Sequence, residues 1–291
     1  MISSVTVTYN PDIACLRNQL QSLGGQVDCC IIVDNGSLNI VEIEGLHKEF
    51  GFVLIKLQKN FGLAYAQNVG INHAIATIGA DYLLLLDQDS ILETDFIKNL
   101  LSVYQHNNVG ILGASFYDPN SGEIYPGTSY NGPFISRVPV KEFSEVTFVI
   151  ASGSFFSSDV FKKVGGMEEQ LFVDYIDVEW SLRAKSMGYV VAMTNKAKMA
   201  HTIGDSRLKI FGRTISVHSA LRRYYLVRNS FFMLRLHYVP FGYKLRELIL
   251  NILRALIAIF TSKNKKIVLG MILAGLRDGL KNKYGEYPSK R

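Results

Sequence analysis

The feature that most restricts this chain is a set of short apolar segments that each break off in polar residues. Tyr82–Leu86 is apolar throughout and stops at Asp87-Gln88-Asp89. Ile2–Tyr9 is rich in β-branched residues and stops at Asn10-Pro11, while Cys29–Val33 runs into Asp34-Asn35-Gly36-Ser37. Such segments are buried strands, and Asn-Pro and Asn-Gly are turn signals. Helical apolar spacing over 12–23 (Ile13, Leu16, Leu20, Leu23) and a helix over 63–78 alternate with these strands and with a further one at Phe52–Leu57. Alternation of this kind predicts an α/β fold, a mostly parallel sheet with helices on both faces. Ligands of such sheets lie beyond the carboxyl ends of the strands, and all three polar clusters fall at that edge.

After about residue 110 the pattern becomes mixed, with short strands expected at Ile111–Phe116, Val146–Ala151 and Ser154–Ser157. Residues 172–188 read as a loop entering a helix, and 218–238, 244–260 and 265–281 as three more helices. The expected division is a catalytic domain over 1–215, with a nucleotide half to about 110 and an acceptor half from 111, and a basic helical region over 216–291.

Charge is split along the same line. Residues 1–206 hold 13 Lys+Arg against 22 Asp+Glu, and residues 207–291 hold 18 against 3. A basic tail on an acidic body points to an anionic partner, nucleic acid or an anionic membrane. An acidic cleft, and strands without aromatic-basic alternation, argue against nucleic acid. The apolar stretch 248–260 is interrupted by Asn251 and Arg254 and falls short of the roughly 20 residues that span a bilayer. Followed by Lys263, Lys265 and Lys266, it suits a helix lying on an anionic leaflet; packing on the core or on a second copy, as a homo-oligomer, is the alternative. The start carries no basic, apolar leader, and Cys15, Cys29 and Cys30 lack metal-site spacing, so reduced thiols and the cytoplasm are expected.

Four groups of residues carry chemistry. Asp87 and Asp89 at a buried strand end repel each other unless a cation lies between them, which suits Mg²⁺ or Mn²⁺; a solvated turn or helix cap is the other reading. Small residues between Asn60 and Gly70 let backbone approach a ligand or a neighbouring element. Asp174, Asp177 and Glu179 stand among apolar side chains, where a carboxylate becomes a stronger base, although a helix N-terminus also favours acids. Arg222, Arg223 and Arg228 suit phosphate oxygens or a solvated basic face, and His201 alone is more often structural than ligating.

Together the segments resemble the family 2 inverting glycosyltransferases of the GT-A fold, and within them the bacterial rhamnosyltransferase branch. The likeness is carried by Thr8-Tyr9-Asn10-Pro11, Val33 to Ser37, Asn60 to Gly70, Leu86 to Ser90, Ser152-Gly153-Ser154, Asp174 to Ala184, His201 to Gly204 and Arg223 to Asn229. The resemblance implies a Rossmann-like mixed sheet with a C-terminal helical extension. It implies a nucleotide-sugar donor, dTDP-β-L-rhamnose being favoured by the glutamine of Asp87-Gln88-Asp89 and a UDP-sugar being the alternative. The acceptor expected is a cell-surface glycan on a polyprenyl diphosphate. Donor contacts are expected from Tyr9, Asn10, Asp34, Asn35, Asn60, Gly62, Asn68, Asp87, Gln88, Arg223 and Arg228. Gly153, Ser154, Asp174, Glu179 and Trp180 are expected on the acceptor side, Asp177 as the base, and Asp87, Asp89 and His201 as metal ligands.

Overall fold

The computed structural model describes residues 1–106, 109–119, 121–201, 207–210, 213–216, 219–262 and 264–288, with backbone alone for 106, 207–210 and 213–216. Thr202 to Gly204 of the histidine segment, and Lys263, lie outside the described residues. The first half alternates: β1 (Ile2–Thr8), α1 (Ile13–Leu23), β2 (Cys29–Asp34), α2 (Ile40–Phe50), β3 (Val53–Lys56), α3 (Leu63–His73), β4 (Tyr82–Asp87), β5 (Ile91–Leu92) and α4 (Phe96–His106). The centre holds β6 (Val109–Tyr117), the hairpin β7 (Gly127–Asn131) and β8 (Phe134–Val138), β9 (Ser144–Glu145), β10 (Ser154–Ser157) and α5 (Ser158–Val164). Then come α6 (Ile176–Ser186), β11 (Val190–Ala200), the hairpin β12 (Arg207–Ile210) and β13 (Arg213–Ser216), and the helices α7 (Ala220–Arg235), α8 (Phe241–Thr261) and α9 (Lys265–Leu280).

The main sheet runs β3-β2-β1-β4-β10-β6-β11-β5, with β9 beside β11. Its first four strands are parallel, and the register sets Thr8 beside Asp34 and Val7 beside Asp87, so three chain breaks coincide at one edge. β10 is antiparallel to both β4 and β6, and β11 is parallel to β6. β11 therefore ends at the same edge as β4, which delivers His201 to Asp87. The fold is the mixed, mostly parallel α/β sheet that the sequence predicts.

Local chemistry explains the placement of the helices. Asp12 caps α1 by accepting from the Cys15 amide. Gly70 brings α3 against the sheet, because a Cβ there would stand 2.4 Å from the Val5 side chain and 2.9 Å from that of Val33. The expected helix over 63–78 is α-helical only to His73 and closes with a π-helical turn over Ala74–Ile78. One expected strand is corrected. Residues 146–151 form no sheet strand beyond a single bridge from Phe148 to Thr128, and the sheet pairing falls on Ser144–Glu145 instead. The apolar side chains of Val146 and Val149 are still buried, so burial rather than strand pairing explains the pattern.

α7, α8 and α9 pack together around Val227, Val268 and Ile272, and Met233, Val239 and Tyr243 join this region to the main core. Leu248, Ile249, Ile252, Leu253, Leu256 and Phe260 on α8 stay exposed. Among the described residues no helix is long and apolar enough to cross a membrane.

Candidate active site

Asp87 and Asp89 leave the end of β4, and His201 leaves the end of β11. His201 Nδ1 lies 3.3 Å from Asp89 Oδ1, and its Nε2 lies 3.6 Å from Asp87 Oδ2. One ligand atom from each residue falls within 4.8 Å of the others. Two carboxylate oxygens and an imidazole nitrogen form a donor set suited to a divalent cation. Burial disfavours the charged form of His201, but the hydrogen bond to Asp89 and the charges of Asp87 and Asp89 outweigh it and raise its pKa. Burial also pushes the Asp87 carboxyl up, with the His201 charge opposing and that of Asp89 reinforcing. A cation between the two carboxylates relieves that repulsion.

Two serines hold this set in place. Ser90 Oγ lies 2.6 Å from Ser152 Oγ and 3.3 Å from His201 Nδ1, and Ser152 Oγ accepts from the Asp87 amide at 3.2 Å. Gln19 donates to the Asp87 carbonyl. Ser90, Ser152 and Gln19 are all missed by the sequence reading of the site. The available signal was that Ser90 and Ser152 each follow an apolar run inside a segment that carries the family likeness; Gln19, on α1, has none.

The edge where β1 and β2 end is a hydrogen-bonded lattice. Asp34 is buried and accepts from Thr8 Oγ1 and from the amides of Gly36 and Ser37. Asn10, at positive φ, takes the Ser37 hydroxyl with its amide and accepts from the Leu38 amide. Gln88 accepts from the Tyr9 amide, and the Tyr9 side chain is exposed. Asn35 donates to Asn60, whose carbonyl oxygen also accepts from the Gly62 amide. Gly62, at φ +95°, lies so close to Phe172 that a Cβ would meet its backbone oxygen at 2.8 Å.

Asp177 stands in the first turn of α6, following a strained segment. Phe172, Asp174 and Tyr175 all hold positive φ, a costly arrangement for residues with side chains. Arg222 clamps Asp174 through three hydrogen bonds of 2.9–3.2 Å. Burial pushes the Asp177 carboxyl up to about 6; the Val178 amide opposes this, and the charges of Asp174 and Asp87 add to it. A carboxylate of that strength is suited to accept a proton near neutrality.

Several expected contacts are placed elsewhere. Arg228 is fully buried, and its guanidinium donates to Asn229 and to the carbonyls of Gln170, Leu171 and Gly285, so it is engaged in the interior. Asn68 bonds Met167 and Glu169, locking α3 to the loop after α5. Glu179 is paired with Arg183 and Tyr238, and the Trp180 indole donates to Gly165, so both face the core. Gly153, at φ +78°, turns the chain into β10 with its amide on Leu85, and Ser154 is buried in the strand. Arg223 is buried, and its Nε has no hydrogen-bond partner among the described residues.

Comparison with known proteins agrees with this arrangement. A model described as glycosyl transferase family 2 matches residues 3–165. A dTDP-rhamnosyl transferase RfbF from Shigella flexneri is 35% identical over 290 residues, covering 96% of this chain and 95% of that one. The chain belongs to glycosyl transferase family 2. A second relative of this glycosyltransferase, the low-salt glycan biosynthesis hexosyltransferase Agl10 of Haloferax volcanii, is 21% identical over 239 residues, 79% of this chain and 76% of the other. Among solved structures, S. aureus TarS 1-349 in complex with UDP-GlcNAc superposes with a TM-score of 0.59 at 14% identity, covering 96% and 80% of the two chains. GalNAc-T7 with UDP, GalNAc and Mn2+ gives 0.59 at 13% identity, covering 97% of this chain but only 56% of the longer enzyme. At those identities the structures establish the GT-A fold of this glycosyltransferase and nothing further about its substrate.

Proposed function

We propose that this family 2 glycosyltransferase moves L-rhamnose from dTDP-β-L-rhamnose to a hydroxyl of a glycan acceptor, with inversion at the anomeric carbon. The observation that carries the donor assignment is the near full-length likeness to a dTDP-rhamnosyl transferase. Asp34, Asn35 and Asn60 shape the nucleoside edge, and the exposed Tyr9 ring offers it a stacking face. Asp87, Asp89 and His201 would hold Mg²⁺ or Mn²⁺, which when bound neutralises charge gathering on the leaving diphosphate. Asp177 takes the proton of the acceptor hydroxyl as that oxygen attacks the sugar from the face opposite the leaving group. The strained 172–175 segment, gripped by Arg222 and Asn229, fixes where that base stands.

The acceptor glycan is carried on a polyprenyl diphosphate at an anionic membrane face. Supporting this are the exposed apolar side of α8, the exposed Ile267, Leu269, Leu273 and Leu280 of α9, and the excess of basic residues after 207. Flotation with anionic liposomes checks it: wild type floats and a chain ending at Tyr238 does not, whereas equal behaviour removes the membrane contact.

Release of nucleoside diphosphate from a panel of dTDP- and UDP-sugars, with Mn²⁺ and with EDTA, tests the donor and the metal together. Turnover of dTDP-rhamnose alone, lost with EDTA and with Asp177→Asn, is the expected result. Preference for a UDP-sugar overturns the donor and leaves the mechanism standing.

A further inference from the structure

Arg223 is 6% exposed, and its Nε is sealed from solvent with no hydrogen-bond partner. Among the described residues no acceptor pairs with any of its nitrogens, which is unusual for a cation so deeply placed. Its surroundings add positive charge. The guanidinium groups of Arg222 and Arg254 and the carboxylate of Asp174 are near enough to act on it, as is the Tyr175 hydroxyl. Arg254 and Arg246, both on α8, share the single buried carboxylate of Glu247 at 3.1 Å each, and Tyr175 donates to the same group at 2.8 Å. Four guanidinium groups thus gather around Asp174 and Glu247, with Arg246 and Arg254 sharing one carboxylate.

A second orphan lies beside them. The amide Nδ2 of Asn251, one helical turn before Arg254 on α8, is buried and completes no full hydrogen bond, with the Tyr175 hydroxyl the acceptor it leans toward. A buried guanidinium nitrogen without a partner, a buried amide without a full one and a cluster of arginines form an incomplete anion site. It is built from other side chains than the cation set of Asp87, Asp89 and His201: Arg223 lies near Arg254 and Tyr175, and Arg222 acts on both Arg223 and Asp87. The Arg254 side chain is 38% exposed, and the next outward residues of its helix, Leu253 and Leu256, are apolar and open.

We propose that Arg223, Asn251 and Arg254 form a subsite for the diphosphate of the acceptor, with its hydrocarbon chain leaving along the exposed side of α8. This inference rests on the reading of the acceptor as a lipid-linked glycan and moves Arg223 from the donor to the acceptor. The guanidinium groups supply paired N–H donors to phosphate oxygens, and Asn251 adds a neutral donor.

The test is titration of farnesyl diphosphate into full-length protein already saturated with dTDP and Mg²⁺, so that the nucleotide site is filled. Wild type, Arg223→Gln, Arg223→Lys and Arg254→Gln are compared, with inorganic pyrophosphate and farnesol as parallel ligands. Loss of one charge-assisted contact predicts roughly ten- to a hundredfold weaker farnesyl diphosphate binding in each Gln variant, partial recovery in Arg223→Lys, and dTDP affinity within about twofold of wild type. Pyrophosphate weakened in the same variants supports recognition of the phosphates themselves. Farnesol binding as tightly as farnesyl diphosphate overturns the proposal, as does farnesyl diphosphate affinity unmoved by the half-exposed Arg254→Gln. Weakened dTDP binding in Arg223→Gln returns the residue to the donor site. If wild type binds UDP and not dTDP, the donor assignment alone fails, and UDP fills the nucleotide site for the same titration.

Discussion

The side-chain amide of Asn229 donates to the main-chain carbonyl of Val173 at 2.8 Å, tying α7 to the strained segment that precedes the proposed base. The same nitrogen lies 2.9 Å from the Leu171 carbonyl and 3.2 Å from that of Asp174, and Arg228 holds the carbonyls of Gln170 and Leu171. The Arg228-Asn229 pair is therefore a positioning device acting on Asp177 through the backbone. Replacing Asn229 with Ala takes the side-chain donor from the Val173 and Asp174 carbonyls and releases positive φ at Phe172, Asp174 and Tyr175. The expected result is a kcat lower by roughly ten- to a hundredfold with dTDP affinity kept, since misplacing a catalytic group costs rate before binding. Parallel losses in dTDP binding and rate would assign the pair to the nucleotide site.

The acidity of Asp177 gives the pH dependence a sign. Burial chiefly raises its pKa to about 6, and a base must be deprotonated to work, so kcat/KM should fall as the pH drops through about 6. Stability runs the other way. A carboxyl with a raised folded-state pKa favours folding while protonated, and that contribution is lost as the pH climbs from its unfolded value near 4 through about 6. Asp177→Asn should then abolish transfer yet stabilise the protein by roughly 1–2 kcal/mol at pH 8, and by about half as much at pH 5. Melting curves of both proteins at the two pH values decide; a variant less stable at pH 8 would contradict the buried-charge account.

The metal prediction concerns protons as well. His201 carries a raised pKa because burial is outweighed by Asp89 and Asp87, and its ring must be neutral to ligate. Mn²⁺ affinity should weaken as the pH falls through the His201 titration, and His201→Ala should weaken it roughly tenfold or more at pH 7.5. Ser152→Ala, which unties the Asp87 amide and Ser90, should cost a smaller factor, up to roughly tenfold. Electron paramagnetic resonance of Mn²⁺ measures all three, and indifference of Mn²⁺ binding to His201→Ala would remove it from the ligand set.

Much of this arrangement was legible in the sequence because its signals are local. An apolar strand stopping at an acid gave the positions of Asp34, Asp87 and Asp89, and helical periodicity gave α1, α7, α8 and α9. The meeting of His201 with Asp87 was not local. It depends on β10 reversing direction between β4 and β6, which lets β11 end at the same edge. Motif likeness could nominate Arg228, Asn68, Glu179 and Trp180, but partners supplied by distant carbonyls and by Tyr238 turn them inward. Ser90 and Ser152 stood inside motifs without an assigned role for the opposite reason: small hydroxyls act only through a neighbour that the fold provides.

Gly62 joins the two halves of the site, and its substitution tests whether they are coupled. At φ +95° an L side chain is strained, and an added Cβ would meet Phe172 at 2.7–2.9 Å, touching ring and backbone together. The Leu63 amide donates to the Phe172 carbonyl at 2.7 Å, so the contact cannot open without losing a hydrogen bond. Gly62→Ala should cost about 2–4 kcal/mol from backbone strain and overpacking, lowering Tm by several degrees. Because the displaced segment is the one that seats Asp177, transfer should fall further than dTDP binding. Hydrogen exchange would then show faster opening over 171–176, with β1 and β4 unchanged. A variant that loses dTDP binding while keeping protection over 171–176 would place the strain on the nucleotide side alone.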